Sequence, residues 1–333
     1  MATPIPELIG SPLPAISVIL PVLNEESHLE GAVLSVLSQD YRGPLEIILA
    51  LGPSRDRTNE IATKLASHDN RVKLLDSPTG KTAAGLNIAL AASKSPVVVR
   101  VDGHAQIPKN YISLIVEILN KTGAVNVGGV MAAVGTTAFE RAVAGAMRSP
   151  LGVGASRFHT GGEAGEVDTV YLGAFRREAL VAIGGFDERF TRAQDWELNF
   201  RLRENGGVIY FDPRLHVTYR PRSSVSALAK QYFEYGRWRR VVSRRHSGTI
   251  NYRYLAPPFA LLGFSASLVL GIALSSIFFI PALVYLLFVV LASLKISTSI
   301  GEYLLLLLVI PTMHFAWGAG FISSPKTLVP ASQ

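Results

Sequence analysis

Three groups of residues carry the chemistry available to this chain. The first is Gln194-Asp195-Trp196-Glu197, at the head of the amphipathic run Leu198–Arg203. An Asp there either caps the helix through its side chain or presents its carboxylate to a cleft. In the second role the helix dipole and free N–H groups hold it ionised, ready to take a proton from a hydroxyl. The second group is Asp102-Gly103-His104, a carboxylate and an imidazole two residues apart. They either form a turn with a satisfied His or share a divalent cation, Mn2+ or Mg2+, that bridges a diphosphate. The third group is a set of polar turns: Asn24-Glu25-Glu26, Ser54-Arg55-Asp56-Arg57 and Gly80-Lys81-Thr82. The last invites a P-loop reading, but Leu75 stands where that pattern needs its first Gly.

The elements that must position these groups alternate. Ile16–Leu20, Leu45–Leu51, Val72–Leu75 and Pro96–Val101 read as strands. His28–Leu37, Thr58–Ala66, Ala83–Ala92 and Pro108–Leu119 read as helices, the last with Pro in its first turn. The rhythm predicts an α/β fold with a mostly parallel sheet covered on both faces. Such sheets bind ligands beyond the carboxyl ends of their strands. The polar turns fall at those ends, one after another.

The chain has 333 residues and no Cys, so no disulfide framework, thiolate nucleophile or Cys-ligated metal is available. That composition fits a reducing compartment. Its net charge of +7 is unevenly spread, with ten Lys/Arg and one Glu between Arg214 and Arg253. The band precedes a run from Pro258 to Leu294 that holds no charged residue and no His. At 37 residues it is long for one membrane helix of about 20. Two spans fit, turning near Ser275-Ser276 or Pro281, and Gly301–Ile322 is a third. A basic band beside such spans marks a cytoplasmic anchor on anionic headgroups rather than a nucleic-acid surface. Val225–Tyr235 is expected to lie as an amphipathic helix on that membrane. Three spans place Lys295 inside and the chain beyond the third span outside. Residues 1–14 lack the pattern of a signal peptide and read as a disordered cytoplasmic lead. The expected organisation is thus the lead, a catalytic domain over 15–222, a basic juxtamembrane segment over 223–256 and a membrane region over 257–325.

The stretches ISVILPVLNEE at 16–26, EIILALGPSRDRT at 46–58 and TGKTAAGLNIAL at 79–90 resemble the family 2 glycosyltransferases of GT-A fold. So do RVDGHAQIPKNY at 100–111, VYLGAFRRE at 170–178, GGFDERFTRAQDWELNFRLRENGG at 184–207 and YRPRSSVSALAKQYFEYGRWR at 219–239. The nearest likeness is to the succinoglycan-type, ExoA-like membrane subfamily. The resemblance implies a nucleotide-diphospho-sugar transferase, with a Rossmann-like mixed sheet followed by transmembrane helices. It assigns Pro21, Asn24, Glu25 and Asp56 to the nucleotide, and Lys81 and Asn87 to the stretch along nucleotide and sugar. It makes Asp102 the first acid of the metal-binding motif, with His104 as the second ligand. Gly173 and Ala174 fall in a loop lining the sugars. Asp195, preceded by Gln194, matches the catalytic base, and Arg237-Trp238 the pair that closes over the diphosphate.

Two departures matter. Leu51 stands where relatives commonly carry an Asp for the uracil or ribose, so a UDP-sugar, the first choice of donor, is not fixed by the sequence. Glu234 replaces the Gln of processive synthases, which argues against a channel-forming polymerase. The expectation is an inverting glycosyltransferase of the bacterial plasma membrane, multi-pass with its catalytic domain in the cytoplasm. It would transfer a sugar to a polyprenyl-linked saccharide for exopolysaccharide or cell-envelope glycan. Two rivals remain: a polyprenyl-phosphate glycosyl synthase, and a catalytically silent nucleotide-sugar-binding scaffold.

Overall fold

The computed structural model describes residues 13–154 and 156–329. Most of the expected disordered lead therefore lies outside the described residues. Strands and helices alternate at first: β1 (Ile16–Val22), α1 (Leu29–Leu37), β2 (Leu45–Leu51), α2 (Thr58–His68), β3 (Val72–Asp76), α3 (Thr82–Ala92), β4 (Val97–Arg100), α4 (Tyr111–Thr122) and β5 (Asn126–Ala133). Helices α5 (Ala138–Met147), α6 (Pro150–Val153) and α7 (Arg157–Thr160) follow, then β6 (Gly165–Glu166), β7 (Tyr171–Arg176), α8 (Arg177–Ala182), α9 (Gln194–Glu204) and β8 (Ile209–Tyr219). The chain continues as α10 (Val225–Arg245), α11 (Tyr252–Ala273), α12 (Ile280–Ile296) and α13 (Ile300–Ser323). Pro108 sits in the turn before α4 rather than in its first turn, where its carbonyl accepts from the Tyr111 N–H.

The chain packs as two units. The first comprises residues 13–132 and 161–219, and the second the rest of the described chain. Residues 133–160, counted by sequence within the catalytic domain 15–222, pack with the second unit.

The first unit is built on one eight-stranded sheet of order β3-β2-β1-β4-β7-β5-β8-β6. β1 pairs in parallel with β2 and β4, and β2 with β3. β7 runs antiparallel to both β4 and β5, so the sheet is mixed. Apolar residues at most positions of the inner strands reflect burial on both faces. Ile16, Val18 and Leu20 pack with Leu29 and Val33 of α1 and Ile112 and Ile115 of α4. Ile19, Ile48 and Val98 point the other way, to Leu86 of α3 and Leu198 and Leu202 of α9. Pro21 is tolerated in central β1 because pairing with β4 stops at Ile19.

The second unit holds α5–α7 and α10–α13. Thr137 and Glu140 close a capping box at the start of α5, and Arg141 of α5 pairs with Glu302 at 3.2 Å. α11 and α12 form an antiparallel hairpin through a tight turn at Ser276–Phe279, the Ser267 hydroxyl donating to the Phe278 carbonyl at 2.5 Å. By length and composition, Tyr252–Ala273, Ser276–Ile296 and Ile300–Ser323 could each cross a membrane. The basic helix expected to end at Tyr235 runs on to Arg245.

Candidate active site

The loops after β1 and β2 are sewn together. The Asn24 N–H donates to Ser54 Oγ at 3.0 Å and the Arg55 N–H to Asn24 Oδ1 at 2.8 Å. The Glu25 N–H donates to Thr58 Oγ1 at 2.7 Å, and the Glu26 N–H to Asp56 Oδ2 at 3.2 Å. Asn24 sits at φ 55°, a left-handed conformation that Asn tolerates better than most residues. Asp56 serves this seam: the Thr58 hydroxyl, donating to it at 2.5 Å, holds its carboxyl below the usual range.

Glu25 also leaves the seam. Its Oε1 lies 2.8 Å from His104 Nδ1, across the loop after β4. A Cβ at Gly103 would come within 3.1 Å of the Glu25 side chain, so the glycine makes room for that approach.

Arg100, the last residue of β4, ties the two acidic motifs together. It is 5% exposed. Its Nε donates to Asp102 Oδ1 at 2.9 Å and its Nη2 to Asp102 Oδ2 at 3.3 Å. Its Nη1 donates to Asp195 Oδ1. Burial alone would lower the guanidinium's pKa, but the two carboxylates outweigh it and raise the pKa.

Asp195 is not a helix cap. Ala193 occupies the N-cap of α9 with φ 58°, and Asp195 is the second helical residue. Nor does the helix terminus hold it ionised as strongly as the sequence suggests. Burial pushes its carboxyl up to about 6, against the pull of Arg100 and with the added repulsion of Asp102. A carboxyl so placed ionises near neutrality and retains basicity, which suits a general base.

The helix is latched in place. Glu197, 1% exposed, pairs with Arg201 at 2.7 Å, and Arg201 donates to the carbonyls of Ile183 and Gly185. Asn87 of α3 holds the same loop from the other side. Its Nδ2 donates to the Phe186 carbonyl at 2.8 Å, and its Oδ1 accepts from the Phe186 N–H at 2.8 Å. Asn87 therefore orders the loop leading to Asp195, whereas the resemblance implies a place along the nucleotide.

Gly173 and Ala174 lie inside β7 rather than in a loop. Ala174 is buried and laddered to Val99 and Val127. Gly173 has φ 80°, and a Cβ there would meet the Phe175 ring at 2.6 Å. Leu172 beside it is left-handed at φ 60°, at a register shift of the β5–β7 ladder. Asn24, Leu172 and Ala193 are the positive-φ non-glycine residues among those described. Each adjoins a motif singled out by sequence, and such strain gathers at functional sites.

Gln194 is buried at the first position of α9, and Lys81 stands exposed at the N-cap of α3. Arg237 and Trp238 belong to α10 of the second unit, where Arg237 pairs with Glu234 at 2.7 Å and Trp238 is buried. In the first unit the named bonds thus join Glu25 to His104, and Asp102 to Asp195 through Arg100, while Asp56 and Asn87 support the surrounding loops. Arg100 escaped the sequence reading. Its signal was a charged residue closing a run of three valines, on the same strand face as Asp102 two positions on.

Among the described residues no three His, Cys, Asp or Glu gather as a complete metal site. Asp102 and His104 offer two ligands of the right kind. That number fits a cation completed by phosphate oxygens, since Mg2+ is commonly held by one or two carboxylates plus substrate.

The family model described as "Glycosyl transferase family 2" matches residues 17–184, half of the chain. The succinoglycan biosynthesis protein ExoA of Rhizobium meliloti (strain 1021) is 34% identical over 242 residues, covering 72% of this chain and 73% of that protein. The dolichyl N-acetyl-alpha-D-glucosaminyl phosphate 3-beta-D-2,3-diacetamido-2,3-dideoxy-beta-D-glucuronosyltransferase of Methanococcus voltae is 24% identical over 254 residues, 73% of this chain and 77% of that one. The solved structure of mannosyltransferase PcManGT from Pyrobaculum calidifontis, in complex with GDP-Man and Mn2+, shares the fold at a TM-score of 0.66 and 21% identity. It covers 93% of this chain and 87% of its own. With a GT-A sheet, acidic motifs gathered at its strand ends and these relatives, the chain belongs to glycosyl transferase family 2 and is a glycosyltransferase.

Proposed function

We propose that the protein transfers a sugar from a nucleotide-diphosphate donor to a polyprenyl-linked saccharide, with inversion, in exopolysaccharide or cell-envelope glycan synthesis. One observation carries the reading: Arg100 holds Asp102 and Asp195 on a single guanidinium at the carboxyl end of β4. The donor's diphosphate belongs beside Asp102, and the acceptor hydroxyl beside Asp195. Asp102 and His104 would hold a divalent cation together with the diphosphate, and that cation supplies neutralising charge for the leaving group. Arg100 orients Asp195. Asp195 takes the proton of the acceptor hydroxyl as its oxygen bonds to the anomeric carbon. The bond from that carbon to the diphosphate breaks on the opposite face, so one displacement inverts the centre.

The acceptor and pathway rest on two supports. One is the name of the succinoglycan relative. The other is the set of helices long and apolar enough for a membrane, which suits a lipid-borne acceptor. A catalytic unit on the cytoplasmic face is part of the same proposal.

The test is donor turnover by detergent-solubilised protein offered a panel of nucleotide sugars with Mn2+ or Mg2+. One donor is expected to turn over, and Asp195→Asn to slow it by about 10²–10⁴-fold. Asp102→Ala should abolish the response to the cation. Nucleotide binding without turnover of any donor, even with membrane lipid supplied, would sink the transferase reading.

A further inference from the structure

The second unit contains a helix pair that hydropathy alone does not foresee. α10 carries six basic residues between Lys230 and Arg245. α13 is apolar enough to pass for a membrane span. The two form the most extensive helix–helix interface among the described residues.

Their backbones touch. A Cβ on Gly236 would lie 2.0 Å from the Trp317 carbonyl oxygen, and one on Gly320 would lie 2.0 Å from that of Phe233. Small residues at such a crossing let two helices close fully. Further contacts tie the two helices. Phe233 meets Gly320, the Ser324 hydroxyl donates to the Arg237 carbonyl at 2.9 Å, and Arg244 Nη2 donates to the Ser324 carbonyl at 3.0 Å. Arg240 lies over the Phe321 ring at 5.0 Å.

Helices in backbone contact over such a length share one depth in the bilayer. A helix with six basic residues does not belong in hydrocarbon. The far end of α13 is equally committed, with Glu302 paired to Arg141 of α5. What α13 leaves bare is a stripe at Ile300, Leu304, Leu308 and Ile322. The α11–α12 hairpin differs: its two spans are 11% and 22% buried, against 39% for α13.

We propose that α13 lies along the membrane interface beside α10, its bare stripe on the acyl chains, while only the α11–α12 hairpin crosses the bilayer. The chain beyond α13 then emerges on the side of α10. That side is also the side of the sheet, since no apolar span separates β8 from α10. This topology differs from the sequence-based one, with three crossings and the chain after the third on the outside. Lys230 and Arg244, the exposed basic residues of α10, then meet anionic headgroups.

The chain has no Cys, so single cysteines report sidedness cleanly. Ser67→Cys marks the sheet unit, Ser275→Cys the hairpin turn, Ser297→Cys the α12–α13 link and Ser332→Cys the chain after α13. Each would be treated with a membrane-impermeant maleimide in vesicles of known sidedness. Positions 67, 297 and 332 are expected to label from one side and 275 from the other. Labelling of 332 from the side of 275 would overturn the proposal, and so would labelling of 275 from the side of 67. Protease cleavage of a tag fused after residue 333 gives the same reading without touching a packed residue. Neither experiment depends on donor turnover.

Discussion

Arg100 sets the terms on which Asp195 works. In the proposed role of base Asp195 must be ionised to accept a proton, and burial pushes its carboxyl up to about 6. The acid limb of kcat/KM should therefore fall near pH 6, with activity rising as pH rises through it. Arg100 pulls that value down. Arg100→Lys keeps the charge but loses the fork that engages two carboxylates at once. The variant should move the acid limb to higher pH and retain part of the turnover, as read from a pH–rate profile. A limb that stays in place would show that Arg100 only fills space. The placement of Asp102 and Asp195 at the ends of elements was legible in the sequence. Arg100 was not, because a strand-end Arg gives no sign of which acids it will meet across 95 residues of chain.

Among the elements, α9 and the loop before it show how local order is imposed from a distance. Asn87 exchanges two hydrogen bonds with the backbone of Phe186, 99 residues away. Asn87→Ala leaves the Phe186 N–H and carbonyl without that partner. It should cost about 1–3 kcal/mol, seen as a lower midpoint in thermal unfolding of the solubilised protein. An unchanged midpoint would mean that water replaces the side chain fully. The α10–α13 contact invites a second substitution. Gly320→Val places methyl groups where the Phe233 carbonyl stands, and overpacking there should cost about 1–3 kcal/mol or more. The same melt measures it. The parallel strands and their helices were readable because period and burial agree in them. Hydropathy marks α13 as a third crossing; its proposed place differs because hydropathy reports what a helix is made of and not what lies beside it.

At the scale of the whole molecule, the proposed topology concentrates membrane attachment in the α11–α12 hairpin. Leu283, Val284, Leu287 and Leu291 of α12 are each at least 56% exposed. Their joint replacement by Ser removes roughly 1.5–3 kcal/mol of burial per side chain. Wild-type protein should stay in the membrane pellet through an alkaline carbonate wash, and the quadruple variant should be released. If both stay, the interfacial helices suffice for anchoring.

The excursion of residues 133–160 into the second unit also bears on how the protein is made. Ribosomes deliver the chain from one end. The buried face of α5, with Ala142, Val143, Ala146 and Met147, is finished long before its partner α13 exists. Roughly 150 residues separate them, or about 8–30 s of synthesis at typical rates. For that interval the nascent protein carries a greasy helix with no place to dock, between strands that are already pairing. Shielding of α5 until α13 arrives, by the membrane or by a chaperone, would therefore favour correct assembly. Slowing translation between residues 160 and 300 should lengthen that wait and lower the yield of correctly assembled enzyme.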